Sequence, residues 1–169
     1  EQHHDGISNN KIVDVVGLYD SKKFKQHCSL SLCIKDLDSL ELDIKSYFTF
    51  SFVRNPWERY VSRLIWNDSN IRKVINFTEE LENIILNARN QHHFIYDKDT
   101  NTTVDHIARF ENYEQEVKKF CDKFGINTTI PHLNKSKKYN YKDFYTKELI
   151  DKVYEREHKI IDLMGYTYD

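Results

Sequence analysis

The segment Tyr47-Phe48-Thr49-Phe50-Ser51-Phe52-Val53-Arg54-Asn55-Pro56-Trp57-Glu58-Arg59-Tyr60-Val61-Ser62 decides the fold of this 169-residue chain. Its first half is rich in aromatic and β-branched residues, contains no breaker as far as Val53, and predicts a strand in the sheet interior. Asn55 then fits the cap position of a helix, and Pro56 fits the first helical turn. The segment therefore predicts a buried strand that leads directly into a helix from 56 to about 67.

The rest of the sequence predicts helices that alternate with strands along the chain. Hydrophobic periodicity and capping residues predict helices over 29–37, 78–88, 113–124 and 147–164, and weaker strand patterns lie at 11–18 and 104–110. Strands alternating with helices are typical of an α/β domain with a mainly parallel central sheet flanked by helices. The length fits a single domain over residues 1–169.

Apolar residues at helical spacing predict which faces of two of these helices pack in the core. In the helix after residue 55 they are Trp57, Val61 and Leu64. In the last helix they are Ile150, Val153, Tyr154, Ile161 and Met164.

Composition excludes several classes of protein. With 25 basic and 27 acidic residues and a net charge of -2, the chain as a whole is not attracted to nucleic acid or to anionic lipid. No window reaches the roughly 18 to 20 apolar residues that span a bilayer, so no membrane span is expected. The three cysteines, an odd number without a tight pair, favour reduced thiols and a cytoplasmic location. A Golgi-lumen location is the alternative, for a fragment of a larger eukaryotic protein.

Arg54 stands where an anion site is expected. Ligands of open α/β sheets gather at the carboxyl ends of strands, and free N–H groups at a helix start favour phosphate or sulfate. A guanidinium adds a planar fork for the oxygens of such an anion. Arg59 and Ser62, spaced i, i+3, would share one oxyanion. The alternative is that Arg54 pairs with a carboxylate and that Ser62 is an incidental helix residue.

The segment 50–62 resembles the 3′-phosphate-binding segment of the sulfotransferases that use 3′-phosphoadenosine 5′-phosphosulfate. Segments 104–112 and 131–136, and the ending 164–168, resemble later blocks of the carbohydrate branch of that family. The blocks occur in the order expected for the family, and the resemblance covers roughly residues 24 to 169.

The resemblance implies a P-loop-NTPase-like sulfotransferase fold and transfer of a sulfuryl group to a hydroxyl of a carbohydrate or similar acceptor, without a metal. Adenosine 3′,5′-bisphosphate would be the product. By the same resemblance Arg54 and Ser62 bind the 3′-phosphate, Lys135 and Ser136 lie in a loop that closes over the nucleotide, and His27 is the base. Histidine suits that role because it titrates near neutral pH. The histidine pairs lack zinc-type spacing, so no metal site is predicted.

One family element is not recognised in the sequence. The lysine-containing, Gly/Ser/Thr-rich loop that cradles the 5′-phosphosulfate would precede Arg54, but residues 1–46 contain only two glycines, Gly6 and Gly17. We therefore expect a chain without its amino-terminal strand and loop. The alternative is a non-catalytic relative that binds nucleotide or sulfated glycan. A nucleic-acid-binding module using the basic and aromatic stretch 135–142 is a further alternative, which the overall acidity disfavours.

Overall fold

The computed structural model describes residues 28–68, 76–127 and 139–169, except for the side chains of residues 67 and 68. The helices are α1 (Leu30–Asp38), α2 (Pro56–Asp68), α3 (Phe77–Asn87), α4 (His92–Ile95), α5 (Tyr113–Phe124) and α6 (Lys147–Met164). The strands are β1 (Phe50–Val53), β2 (Tyr96–Asp97), β3 (Thr102–Thr103) and β4 (His106–Arg109), and short 3-10 turns occupy Ile44–Ser46, Phe110–Asn112 and Tyr141–Phe144. The strand predicted at 11–18 lies outside the described residues.

Strands β1 and β4 pair in parallel, and helices flank this small sheet. The predicted α/β class with a parallel sheet is therefore confirmed at this level. In the described part of the chain the parallel sheet has two strands. A second, antiparallel pair joins β2 to β3, with Tyr96 opposite Thr103.

Strand β1 is shorter than the sequence predicts, because a 3-10 turn and the side chain of Asp105 satisfy the hydrogen bonds of residues before it. Asp43 caps the first 3-10 turn, and the Tyr47 N–H donates to the Ile44 carbonyl at 3.0 Å. The N–H and the hydroxyl of Thr49 each donate to Asp105 Oδ2 at 2.7 Å. The Asp105 N–H in turn donates to the Thr49 hydroxyl at 3.0 Å rather than to a strand, and β4 begins at residue 106 and not at 104.

The described residues divide into two compact units, one formed by residues 28–50 and 93–106 and the other by residues 51–68, 76–92, 107–127 and 139–169. In the first unit α1 contacts β2, and Ser29 caps α1 by accepting a hydrogen bond from the Leu32 N–H. The Ser31 hydroxyl donates to the buried Asp97 carboxylate at 2.5 Å, and the Thr100 N–H donates to it at 2.9 Å. These hydrogen bonds from Ser31 and Thr100 lower the pKa of Asp97 to about 2.

In the second unit α2 packs against α3 and α6. Trp57, Val61 and Leu64 of α2 are all buried, as their spacing predicts. Asn55 caps the start of α2. Helix α5 ends at Gly125 and α6 ends at Gly165, and both glycines have the left-handed backbone conformation that glycine adopts readily.

The predicted apolar stripe of α6 is correct in part. Val153 and Ile161 are buried, but Tyr154 is 48% exposed. The buried face of this helix instead includes Glu157. A charged residue interrupts the apolar spacing, so the spacing of apolar residues does not predict this face correctly.

Among the described residues, no helix combines the length and apolar character needed to cross a membrane. All three cysteines lie in the described ranges, and none forms a disulfide.

Candidate functional site

Arg54 directly follows the last residue of β1, and its side chain reaches two residues of α2 in the second unit. Its Nη1 donates to the Ser62 hydroxyl at 2.9 Å, and its Nη2 donates to Glu58 Oε1 at 2.7 Å. Glu58 and Ser62 are one turn apart on α2 and therefore share a face of the helix. The guanidinium also lies over the Phe110 ring, 5.3 Å from its centroid. The structure thus brings Arg54 and Ser62 together, and it adds the carboxylate partner that was the alternative.

The environment keeps Arg54 charged. Burial acts to lower the pKa of Arg54, but the hydrogen bond and the charge of Glu58 outweigh it and raise the pKa above its ordinary value. The side chain of Arg54 is 21% exposed. Its Nε and the Tyr139 hydroxyl are buried and have no hydrogen-bond partner within the described ranges. Arg54 therefore keeps donor capacity that its protein partners do not use.

The first turn of α2 does not offer its backbone to a ligand. The Asn55 side chain accepts hydrogen bonds from the N–H groups of Trp57 and Glu58 at 3.1 and 3.3 Å. The Arg59 N–H donates to the Asn55 carbonyl at 2.9 Å, and the Asn55 N–H donates to Glu111 at 2.6 Å. The predicted cap is confirmed, but the expectation of free N–H groups here is wrong, because the cap itself uses them. Recognition of an anion at this place therefore depends on side chains.

Arg59 points away from this site. Its Nη1 donates to Glu157 Oε1 at 3.0 Å, and its Nη2 donates to the Arg89 carbonyl at 2.9 Å. The prediction that Arg59 and Ser62 share an oxyanion is therefore wrong. The physical reason is that a buried carboxylate on α6 requires a cationic partner.

Two residues of this region were missed by the sequence analysis, namely Gln91 and Glu157. Gln91 Oε1 accepts the Arg54 N–H at 2.9 Å, and Gln91 Nε2 donates to the Arg54 carbonyl at 2.9 Å. Glu157 accepts hydrogen bonds from the Gln91 N–H and the Tyr60 hydroxyl, both at 2.9 Å. A glutamate inside an otherwise apolar helix face was the only sequence signal for this network.

Burial raises the pKa of Glu157, whereas the Gln91 N–H, the Arg59 guanidinium and the Tyr60 hydroxyl favour its charged form. All three of these partners donate hydrogen bonds to Glu157. The three donors stabilise the carboxylate form of Glu157 and oppose the effect of burial, which is the larger one and leaves the pKa above its ordinary value.

Two of the later segments that carry the family resemblance, 104–112 and 164–168, lie against the same junction of β1 and α2, whereas 131–136 is outside the described residues. The Tyr166 hydroxyl lies 2.9 Å from Glu111 Oε2 and 3.1 Å from the Val53 carbonyl oxygen, and its single hydrogen is shared between these two acceptors. The Asn55 side-chain amide donates to the Thr167 carbonyl at 3.1 Å. Parts of three blocks that are distant in the sequence thus meet around Arg54 and its neighbours.

His27, Lys135 and Ser136 lie outside the described residues. No group of three or more His, Cys, Asp or Glu side chains in the described ranges is arranged to hold a metal ion. Comparison of the chain with protein-family models, with curated proteins and with solved structures finds no match.

Proposed function

We propose that this chain is a sulfotransferase with a P-loop-NTPase-like fold that uses 3′-phosphoadenosine 5′-phosphosulfate and acts on a hydroxyl of a carbohydrate or similar acceptor. Arg54 and Ser62 bind the 3′-phosphate of the nucleotide in this proposal. The observation that carries it is the 2.9 Å hydrogen bond between Arg54 Nη1 and Ser62 Oγ at the carboxyl end of β1. The blocks of the resemblance that meet at the same junction support it further.

The local chemistry suits a phosphate group. The Ser62 hydroxyl accepts a hydrogen bond from Arg54, so its own hydrogen is available to a phosphate oxygen. The Arg54 Nη2 donor, which now bonds to a Glu58 oxygen, fits a second phosphate oxygen equally well. A phosphate would thus replace one anionic oxygen by another without moving the guanidinium far.

In the proposed reaction the acceptor hydroxyl oxygen attacks the sulfur, and the bond from sulfur to the 5′-phosphate oxygen breaks. Adenosine 3′,5′-bisphosphate leaves with the electron pair of that bond. By the family resemblance, His27 takes the proton of the acceptor hydroxyl, and Lys135 and Ser136 close over the nucleotide. No metal ion takes part in this scheme.

Calorimetric titration with adenosine 3′,5′-bisphosphate, set beside adenosine 5′-monophosphate, tests the proposed nucleotide site. Arg54→Ala should weaken binding of the bisphosphate by about 1.5–3 kcal/mol, the range for a hydrogen bond to a charged group. Ser62→Ala should also weaken it by about 1.5–3 kcal/mol, because the Ser62 hydroxyl donates to the same charged phosphate. Arg63→Ala is the matched control, because Arg63 is an exposed arginine of the same helix. Equal affinity of the Arg54 variant and the wild type, or equal affinity for both nucleotides, would overturn the site.

Transfer of labelled sulfate from 3′-phosphoadenosine 5′-phosphosulfate to desulfated glycosaminoglycans separates an enzyme from a non-catalytic relative. His27→Ala should lower turnover and leave nucleotide affinity unchanged if His27 is the base. Binding of nucleotide without transfer would favour the non-catalytic alternative. A nucleic-acid-binding module would instead lose affinity for its ligand steeply with salt and would be insensitive to the bisphosphate.

A further inference from the structure

The backbone of Arg54 is held by a side chain rather than by a neighbouring strand. Strand β1 ends at Val53, and Gln91 then supplies both the acceptor and the donor that a paired strand would offer, each at 2.9 Å from its partner on Arg54. Two opposed hydrogen bonds to one residue restrict rotation about its backbone bonds. The direction in which the Arg54 side chain leaves the backbone depends on the rotation about these backbone bonds.

Gln91 is itself fixed. It is only 6% exposed, and its own N–H donates to Glu157 Oε2 at 2.9 Å and to Oε1 at 3.3 Å. Glu157 is 1% exposed and also accepts hydrogen bonds from Arg59 and Tyr60 of α2. Hydrogen bonds to a buried carboxylate are stronger than those between neutral groups. The chain of contacts therefore runs from α6 through Gln91 to the backbone of Arg54.

We infer that Gln91, anchored by Glu157, is a positioning residue that sets the orientation of Arg54 toward the 3′-phosphate. This inference rests on the proposed function for its ligand. Gln91 does not have to touch the nucleotide, since its amide is used by the backbone of Arg54. Its contribution to binding consists of keeping the guanidinium in line with Ser62 before the ligand arrives, so that less order has to be created on binding.

The test replaces Gln91 by methionine, which keeps the length of the side chain and removes both hydrogen bonds. Gln115→Met on α5 is the matched control, because Gln115 is an exposed glutamine of the same unit. We expect Gln91→Met to weaken binding of adenosine 3′,5′-bisphosphate by about three- to tenfold, the equivalent of about one net hydrogen bond. Binding of adenosine 5′-monophosphate should change less than twofold, and the control variant should match the wild type with both nucleotides.

A double-mutant cycle separates positioning from general destabilisation. If Gln91 acts through Arg54, Gln91→Met should have no further effect on bisphosphate affinity in the Arg54→Ala background. An equal loss in both backgrounds would overturn the inference. Gln91→Asn, which keeps an amide too short to reach both backbone atoms, serves the same cycle if the methionine variant does not fold.

Hydrogen exchange of the Arg54 amide keeps this inference distinct from the proposed function. Gln91→Met should accelerate exchange at this amide well beyond any change at α3 amides, because it removes the acceptor of the Arg54 N–H. If the wild type shows no dependence on the 3′-phosphate, the proposed function fails, and exchange alone then decides whether Gln91 fixes Arg54. If the wild type binds as proposed and Gln91→Met binds equally well with unchanged exchange, the inference fails and the proposed function stands.

Discussion

Glu58 should compete with the ligand for Arg54, and Glu58→Gln is expected to strengthen binding of adenosine 3′,5′-bisphosphate. In the structure Glu58 Oε1 lies 2.7 Å from Arg54 Nη2, at a position that a phosphate oxygen would take. The carboxylate therefore has to give up this contact when the ligand binds, and it then remains close to a doubly charged phosphate. The glutamine side chain has nearly the same shape and no charge, so it relieves both effects.

The magnitude follows from Coulomb's law. A dianionic phosphate about 5 Å from a carboxylate is repelled by about 1.7 kcal/mol at the dielectric constant of water. Glu58 has a side chain that is 32% exposed, so screening keeps the value near this aqueous limit. We expect affinity to rise by about 1–2 kcal/mol, or roughly 5- to 30-fold. Loss of the i, i+4 ion pair and of a first-turn acid should lower the free energy of unfolding by less than about 1 kcal/mol.

Calorimetry at low and at high ionic strength is the assay. The gain should shrink as salt is added, because the repulsion that the variant removes is itself screened. Glu79→Gln is the control, since Glu79 is an exposed acid in the first turn of α3 and its replacement changes the net charge equally. An unchanged or weakened affinity of Glu58→Gln, or an equal gain in the Glu79 variant, would refute the argument that the Arg54 guanidinium is the phosphate ligand.

Two further predictions concern stability. Leu64→Ala on α2 should lower the free energy of unfolding, measured in urea, by about 2–5 kcal/mol because Leu64 is fully buried. The control Leu163→Ala, at a 58% exposed position, should lower it by less than about 1 kcal/mol, and similar losses in the two variants would contradict the packing described for α2. Asp97 has a pKa of about 2 in the folded state, because Ser31 and Thr100 donate hydrogen bonds to its carboxylate, and a pKa near 4 in the unfolded chain. Ionised Asp97 therefore stabilises the folded protein above about pH 4, and this contribution is lost as the pH falls toward 2. In the Asp97→Asn variant the melting temperature should depend less on pH across this range. An unchanged pH dependence would show that other carboxylates cause the loss of stability in acid.

The junction between β1 and α2 has several features that residues close together in the sequence predict correctly. The cap at Asn55, the helix start at Pro56 and the buried face formed by Trp57, Val61 and Leu64 all follow from residue type and spacing. These features depend on contacts within one or two helical turns, which a single sequence displays directly. The α/β class follows in the same way from the alternation of such segments.

The bonding of the site itself depends on partners that are distant in the chain. Gln91 is 37 residues from Arg54, and Glu157 lies a further 66 residues along. Nothing in the spacing of these residues indicates that an amide side chain closes the end of β1, or that a carboxylate on α6 takes Arg59 away from Ser62. The same holds for Glu58, because its proximity to Arg54 could be read equally as a favourable charge at a helix start.

The sequence by itself determined the local elements, the helix caps and ends, and the placement of Arg54 at the carboxyl end of a strand. The tertiary structure alone decided which polar groups are already satisfied: the N–H groups of the first turn of α2 are used by Asn55, whereas Arg54 Nε has no hydrogen-bond partner in the described part of the chain. The physical reason is that burial forces each polar group to find a partner in space, and that choice is made by packing between segments rather than by neighbours in the sequence.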